Sequence, residues 1–351
     1  MRKEATHNSR KSRKMELLKE SKMPDGRSLR IYRQITPAKE AVPERLIRYL
    51  ISSIGFDSYR KFIHDQNYWR LYYRAAFDGE GAVDHLYLAE VDGTFAARVW
   101  FAYSPASGFG NFGNVYTEPA FRRLGLMSEL MHYCVRDFLD SPAKLLCCGT
   151  GNVFAAASYR KFGFQMTYGG ETGMMHLINP KYGSHFRDLE KVCFDGSPIV
   201  KVRPGTPGDQ FDCDKFLVHT AAMRGKARGS AGPDAYVSEY RVAWQDQKNG
   251  TAVTAVAENA NGTVTAYAYA VKAFGRNCLN FTVYPDNTGE VKELLTFTAA
   301  EFRKLFPGEP ILIYVGSNCA LQLEALEKAD FKPIAQVPGS APGIDLLIFE
   351  I

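Results

Sequence analysis

The sequence lacks the features that mark secreted, membrane-spanning and zinc-ribbon proteins. It has seven cysteines in 351 residues, an odd number with no CxxC pair, so neither a disulfide framework nor a zinc ribbon is expected. No apolar run approaches the roughly 18 residues that cross a bilayer. The basic N-terminus is not followed by the apolar stretch of a secretory signal. These absences predict a cytoplasmic protein without a membrane span.

An excess of one charge is also missing outside the first residues. Residues 1–28 hold nine Lys/Arg and four Asp/Glu, and the rest of the chain carries 34 charges of each sign. A neutral body argues against nucleic-acid binding by the folded part, because such binding depends on neutralising phosphates. We expect residues 1–28 to be a basic, disordered tail, since termini fray unless they are tied down. Contact with RNA or an anionic membrane is the alternative role for this tail.

The rest of the sequence has the composition of an ordinary globular protein, with 46% apolar residues, and its length suggests about two domains. Alternating apolar residues predict a hairpin of 84–90 and Thr94–Tyr103. A strand over 111–117 is followed by helical spacing over 125–139 and a short apolar strand over 144–148. This order predicts an α/β protein of mixed α+β layers, in which helices flank a twisted mixed sheet.

The order of these patterns is repeated in the second half of the chain. Five landmarks recur at offsets confined to 166–170 residues, and together they predict a tandem repeat of one fold. The matched pairs are Arg33 with Arg203, Gly93 with Gly262, Val115 with Val283, Asn152 with Asn318, and Phe164 with Phe331. We therefore predict two domains, 29–190 and 195–351, with their boundary within 178–198.

The segment 114–131 has the pattern of an anion-binding site. A strand ends at a proline-closed turn, and a short loop with Arg122, Arg123 and Gly125 leads into an amphipathic helix. The N-terminus of a helix offers unpaired N–H groups and the positive end of the helix dipole. Glycine lets a ligand approach the backbone closely, and the two arginines add positive charge. The pattern favours phosphate binding.

Two motifs in this half resemble signatures of the GNAT superfamily of acyl-CoA-dependent N-acyltransferases. Arg122-x-x-Gly125-x-Met127 fits the pyrophosphate signature R/Q-x-x-G-x-G/A except at Met127, where the family has a small residue. A second signature, N-x-x-A-x-x-x-Y-x-K-x-G-F, is met at every position, by Asn152, Ala155, Tyr159, Lys161, Gly163 and Phe164. The resemblance covers about residues 30–177 and implies a tandem GNAT arrangement with a degenerate second half.

The resemblance implies roles for individual residues, with acetyl-CoA as cosubstrate and no metal. Main-chain groups of Val115, Tyr116 and Thr117 would bind the pantetheine arm as an added strand. The pyrophosphate would lie against the segment that contains Arg122, Arg123, Leu124, Gly125, Leu126, Met127 and Ser128. Asn152 would bind pantetheine or serve only as a helix N-cap. Tyr159 would protonate the departing thiolate, or be a packed core aromatic.

The sequence leaves the general base open. Many family members carry a carboxylate at the position that is Asn111 here, and an amide cannot accept the proton. Glu118 is the candidate in this sequence, and a water relay or an acceptor that arrives as a neutral amine is equally consistent. The acceptor would be an amine of a small molecule or peptide, and the aromatic residues of 59–73 would either line its pocket or pack in the core.

The second half is expected to have lost the cofactor site. Glu290 and Glu293 stand where the repeat places Arg122 and Gly125, and carboxylates repel a pyrophosphate. The sequence therefore predicts an N-acyltransferase with one active half. Two alternatives remain, namely a transferase that uses a longer acyl-CoA or a tRNA-borne donor, and a CoA-sensing protein without catalysis.

Overall fold

The computed structural model describes most of the chain, namely residues 15–36, 44–52, 81–194, 197–216, 240–273 and 275–351. The aromatic segment predicted over 59–73 and the first 14 residues of the predicted tail lie outside these ranges. The described residues form two mixed sheets with flanking helices. The predicted α/β class is confirmed.

The first sheet has eight strands. They are β1 (Glu16–Lys22), β2 (Ser28–Thr36), β3 (Val83–Val91), β4 (Thr94–Tyr103), β5 (Phe109–Thr117), β6 (Leu145–Thr150), β7 (Gln165–Gly169) and β8 (Gly173–Ile178). The helices of this part are α1 (Glu44–Ser52), α2 (Leu126–Asp140), α3 (Val153–Arg160) and α4 (Phe186–Phe194). The strand order is β1-β2-β3-β4-β5-β6-β8-β7, and the predicted hairpin is β3–β4.

The second sheet has seven strands. They are β9 (Ile199–Pro204), β10 (Ala252–Asn259), β11 (Val264–Ala273), β12 (Arg276–Val283), β13 (Ile311–Gly316), β14 (Pro333–Ala341) and β15 (Ile344–Glu350). The helices of this part are α5 (Asp209–Phe216), α6 (Tyr240–Lys248), α7 (Val291–Leu305) and α8 (Ala320–Lys328). None of the helices in the described ranges is both long and apolar enough to cross a bilayer.

The two sheets share one topology. Read from its β9 edge, the second sheet runs β9-β10-β11-β12-β13-β15-β14, which is the order of β2-β3-β4-β5-β6-β8-β7 in the first. In each sheet one pair of neighbouring strands, β5–β6 or β12–β13, is parallel. The second sheet repeats the first strand for strand, apart from β1, and this confirms the predicted tandem repeat.

The parallel ladders are short. β5 and β6 are joined by three residue pairs, of which Asn111–Cys147 is the last, although β5 has nine residues. β12 and β13 are joined by two pairs, of which Cys278–Leu312 is the last. The parallel pairing thus involves only the first residues of β5 and of β12. The later residues of each strand lie beyond the last parallel pair.

Strand β1 corrects the prediction of a disordered tail over residues 1–28. Glu16–Lys22 pairs antiparallel with β2, from Glu16 opposite Arg33 to Lys22 opposite Ser28. The strand has Leu17 and Leu18 among charged residues, a composition suited to the edge of a sheet. Ion pairs join it to its neighbour, for example Arg33 to Glu16 at 2.6 Å and Arg30 to Glu20 at 2.8 Å. Hydrophobic patterning does not detect a strand of this kind.

The Cα positions divide the described residues into two compact units, each with its own core. The first is drawn from Met1–Gly79, Val83–Phe101 and Gly113–Arg136, and the second from Glu80–Ala82, Ala102–Phe112 and Asp137–Ile351. In the first unit β3 and β4 are buried along almost their whole length. In the second, the buried faces of β10–β13 pack with α7 and α8 around Leu294, Phe302 and Leu326. The candidate site residues fall in both units.

Candidate functional site

Strand β5 carries a conformational irregularity in the segment that was predicted to bind pantetheine. Asn114 has a φ of 50°, in the left-handed region that asparagine tolerates better than most residues. The residues that follow it, Val115, Tyr116 and Thr117, are half-buried. A left-handed residue inside a strand changes the edge to which the next main-chain groups point. The irregularity therefore determines how 115–117 present their N–H and C=O groups.

Arg98 on β4 contacts this irregular residue and the end of α1. The side chain is 2% exposed, and its Nε donates to the carbonyl oxygen of Asn114 at 3.0 Å. Its Nη1 donates to the carbonyl oxygens of Tyr49 at 3.2 Å and Leu50 at 2.7 Å, in the last turn of α1. The guanidinium carbon lies 5.5 Å from the centroid of the Tyr49 ring and 5.7 Å from that of Tyr116.

The loop between β5 and α2 presents its backbone outward. Residues 119–121 form a 3₁₀ turn, after which Arg122 to Gly125 are exposed. Arg122 folds back, and its Nε donates to the carbonyl oxygen of Thr117 at 3.1 Å. Arg123 and Gly125 have φ values of 65° and 78°, and no other atom lies within 4 Å of the place where a Cβ on Gly125 would be. The loop thus uses glycine for its φ, and the space beside it is open.

Helix α2 begins directly at this loop. Leu126, Met127 and Ser128 form its first residues, and their N–H groups precede the first intrahelical bond, which Glu129 N donates to Gly125 O at 3.0 Å. Such N–H groups are free to bind an anion. Glu129 is a negative charge in this first turn, and Lys19 Nζ on β1 pairs with it at 2.9 Å. The hydrogen bond from Lys19 to Glu129 raises the pKa of Lys19.

Glu118, the candidate base, lies between β5 and the 3₁₀ turn and is half-buried. Its Oε2 accepts a hydrogen bond from the Tyr116 hydroxyl at 3.3 Å, and its main-chain N–H donates to Ala96 O at 2.9 Å. The carboxylate is held against an aromatic side chain and is still within reach of solvent.

Asn152 has the cap role that the sequence left open. Its Oδ1 accepts from the main-chain N–H groups of Phe154 at 2.9 Å and Ala155 at 3.1 Å, at the start of α3. The side chain is exposed. The Nδ2 group is not used by the cap, so a ligand role for Asn152 depends on that donor.

Tyr159, the candidate acid, is 7% exposed near the end of α3. Its ring packs edge-on against Phe112 of β5 at 5.1 Å and tilted against Phe164 at 5.8 Å, measured between centroids. Burial raises the pKa of Tyr159 well above its usual value, and Cys148 adds to the shift. Phe112 lies just after the last residue pair of the β5–β6 ladder, so the ring of Tyr159 packs where that ladder ends.

The second half has a different turn at the corresponding place. Residues Pro285–Glu290 form a six-residue 3₁₀ segment that leads straight into α7. Glu290 Oε2 accepts from the main-chain N–H of Ile199 at 2.8 Å and from Asn287 Nδ2 at 3.0 Å. The Glu290 carboxylate thus lies at the start of this helix and is paired with Ile199 and Asn287, whereas the corresponding loop of the first half is exposed.

Two residues of the site, Arg98 and Lys19, were not predicted from the sequence. Arg98 lies between Ala97 and Val99 in an apolar strand, where a charged residue breaks the alternation but does not show its partners. Lys19 belongs to the segment that was predicted to be a tail. The isolated charge inside an otherwise apolar strand is the one signal that could have identified Arg98.

Residues 49–164 match the model of the acetyltransferase (GNAT) family. This match confirms the resemblance to the GNAT family that the motifs predicted.

Several solved structures resemble part of the chain. YncA of Salmonella typhimurium, solved with its cofactor acetyl-CoA, is 19% identical, with 43% of this chain and 92% of that one covered and a TM-score of 0.33. A ribosomal-protein-alanine N-acetyltransferase of Brucella melitensis is 18% identical over 43% and 99%, with a TM-score of 0.32. A phosphinothricin acetyltransferase of Sinorhizobium meliloti, solved with acetyl-CoA, is 17% identical over 43% and 86%, with a TM-score of 0.32. No curated protein matches the chain.

Proposed function

We propose that the chain is an N-acyltransferase that transfers an acetyl group from acetyl-CoA to a primary amine of a small molecule or peptide. The observation that carries the proposal is the exposed loop before α2, in which Arg123 and Gly125 are left-handed and the space beside Gly125 is open. Strained backbone of this kind persists where a ligand needs it. The family match over residues 49–164 supports acyl transfer as the reaction.

The loop and the first turn of α2 would hold the pyrophosphate. The main-chain N–H groups from Arg123 to Ser128 would be the donors, and the helix dipole adds to their effect. Arg122 would contribute charge from its position beside Thr117. The pantetheine arm would bind the main-chain groups of 115–117, in the part of β5 that follows the end of the parallel ladder.

The chemistry needs two proton movements besides the attack. The amine nitrogen forms a bond to the thioester carbonyl carbon, and the bond between that carbon and sulfur breaks. Tyr159 would donate its phenolic proton to the leaving sulfur, and main-chain N–H groups near Val115 would stabilise the negative oxygen. Glu118 would take the proton from the amine, directly or through water, unless the amine arrives neutral.

The second half would fold without binding acyl-CoA. Its 3₁₀ segment at Pro285–Glu290 lacks the left-handed arginine and glycine, and the Glu290 carboxylate places a negative charge at the start of the helix. We assign catalysis to residues 29–190, preceded at the sheet edge by β1, and a structural role to residues 195–351.

The direct test is a panel of primary amines incubated with acetyl-CoA and scored by thiol release, with acetylated product identified by mass spectrometry. We expect turnover with at least one amine and none with Gly125→Asp, which places a carboxylate and a side chain at the loop. Tight acetyl-CoA binding with no product from any amine would favour a CoA-sensing role. Absence of both binding and turnover would contradict the proposal.

A further inference from the structure

The backbone of β5 at Asn114 accepts a hydrogen bond from a buried cation, Arg98. We propose that Arg98 is a positioning residue that fixes the left-handed conformation of Asn114. It thereby orients the main-chain N–H and C=O groups of residues 115–117 toward acyl-CoA. The inference rests on the proposed function for its ligand, but its structural part stands on the hydrogen bonds of Arg98 alone.

The guanidinium joins two elements that each need a donor. The last four carbonyl groups of a helix have no partner within the helix, and Arg98 binds two of those of α1, at Tyr49 and Leu50. The same side chain binds the carbonyl oxygen of Asn114 through Nε. Hydrogen bonds from a charged donor are stronger than neutral ones, and more so when they are buried. Arg98 therefore ties the end of α1 to the irregular residue of β5.

The aromatic contacts extend this control along β5. The guanidinium lies over the ring of Tyr116, two residues beyond Asn114, at 5.7 Å, and Tyr116 donates its hydroxyl proton to Glu118. Arg98 thus contacts the strand on both sides of Val115. The backbone between these two contacts includes the first N–H and C=O groups that the pantetheine arm would meet.

The conformation of Asn114 needs such support. A non-glycine residue with a φ of 50° is costly in an otherwise extended strand. Without the bond to its carbonyl oxygen, the strand would relax toward regular geometry. Regular pleating would turn the following N–H and C=O groups to the opposite edges. The acyl-CoA would then lose its main-chain partners without any change in the loop before α2.

The test compares Arg98→Met and Arg98→Lys with a matched control, Arg45→Met. Arg45 also ties α1 to the sheet, through Glu90 at 2.8 Å on β3 and the Phe95 ring at 4.6 Å on β4. Hydrogen–deuterium exchange of peptides covering 109–118 measures the protection of the β5 amides in the absence of ligand. Calorimetry measures the Kd for acetyl-CoA. We expect Arg98→Met to speed the exchange and to weaken binding about 10–100-fold, with Arg98→Lys intermediate and Arg45→Met unchanged.

Variants of Asn114 keep the proposal testable if Arg98→Met does not fold. Asn114→Gly should bind acetyl-CoA like the original chain, because glycine adopts positive φ freely. Asn114→Val should lose binding to the extent that Arg98→Met does, because a β-branched residue resists this conformation. The proposal is overturned if folded Arg98→Met shows unchanged exchange over 109–118, or if Arg45→Met has the same effect. If the original chain does not bind acetyl-CoA, the proposed function fails, and the exchange result still decides the role of Arg98.

Discussion

At the scale of single residues, burial determines the protonation state of the proposed acid. Tyr159 packs against Phe112 and Phe164, and burial raises its pKa because the phenolate is poorly solvated there. The phenol therefore keeps its proton through the neutral and moderately alkaline range. A general acid must be protonated before the leaving group departs, and the raised pKa meets that condition. The same shift makes the phenol a weaker acid toward the thiolate, so the proton must move while the bond to sulfur breaks.

Replacing Tyr159 by Phe should lower kcat by about 10²–10⁴-fold, the typical contribution of general acid catalysis. The ring and its packing remain, so the Kd for acetyl-CoA should change little, since a bond made only in the transition state affects kcat. Steady-state kinetics and calorimetry measure the two effects separately. Tyr182→Phe, at a tyrosine that is 42% exposed, is the matched control. Unchanged kcat in Tyr159→Phe would make the residue a core aromatic only.

Gly125→Ala tests the loop at the same scale. Alanine at a φ of 78° is strained by about 1–2 kcal/mol, and relief of that strain would move the amides that hold the pyrophosphate. We expect a 5- to 30-fold higher Kd for acetyl-CoA, in proportion to that energy.

Gly308→Ala is the control for the loop variant. Gly308 has a φ of 86° and equally open surroundings, but it lies in the second half. The Gly308→Ala variant should lower thermal stability as much as Gly125→Ala does and leave the affinity for acetyl-CoA unchanged. Equal losses of affinity in both variants would indicate a general effect of destabilisation.

The residues that could be predicted from sequence are those whose identity follows from backbone chemistry. Gly125 and Asn152 stand where a left-handed turn and a helix cap need them, and the family motif fixes Tyr159. The charge of Arg98 within an apolar strand marks it as unusual, but its role could not be predicted, because its partners are carbonyl oxygens, which every residue has. The pairing of Glu129 with Lys19 could not be predicted either, because 110 residues separate the two charges in the sequence.

At the scale of elements, β1 shows how the first sheet differs from the second. The second sheet begins at the counterpart of β2, and its described residues contain no strand that corresponds to β1. β1 covers the edge of β2 and also brings Lys19 to the first turn of α2. An acidic side chain at the N-terminus of a helix competes with a bound phosphate for the same positive potential. Pairing with Lys19 offsets that competition.

Deleting residues 1–22 should therefore destabilise the protein and weaken acetyl-CoA binding. Loss of the strand should lower Tm by about 2–4 °C for each kcal/mol removed, and loss of Lys19 should raise the Kd about two- to fivefold, the scale of a partly exposed ion pair. Deletion of residues 1–14 keeps β1 intact and serves as the control, with both quantities unchanged. Adding Glu129→Gln to the longer deletion should restore the affinity but not Tm.

The elements between β3 and β8 were predictable because each has a strong local signal. The β3–β4 hairpin has its Asp92-Gly93 turn, and α2 has apolar residues at helical spacing after the loop. β1 has no such signal, because an edge strand needs main-chain pairing more than apolar side chains. Its existence depends on the neighbouring β2, and sequence patterning cannot supply that information.

At the scale of the whole molecule, the chain contains the same topology twice with two different turns before the long helix. The first half has an exposed loop with two left-handed residues, and the second has a 3₁₀ segment closed by Glu290. The difference lies in a few residues, while the order of the strands is the same. The loop before the long helix is therefore one place where the two halves differ in the ligand they can bind.

Calorimetry should accordingly give one acetyl-CoA per chain. A single binding event that Gly125→Asp abolishes would place the site in the first half. Glu290→Gln is the complementary variant, because it removes the negative charge but keeps a side chain that can accept from Ile199 N and Asn287. It should not create a second binding event, since the left-handed arginine and glycine are still missing. Two events of equal affinity in the original chain would contradict a cofactor-free second half.

All seven cysteines are free and buried, and burial raises the pKa of Cys148 to about 12. A thiol reagent reacts with exposed thiolates, so the native protein contributes almost no background colour when released CoA is titrated. The same burial makes the cysteines reporters of local unfolding. Without acyl-CoA, the rate at which a thiol reagent labels each cysteine measures how often the part of the fold around it opens. The seven positions are spread over both halves, from Cys134 to Cys319. Mass spectrometry of the labelled peptides would therefore show in which half local unfolding is more frequent.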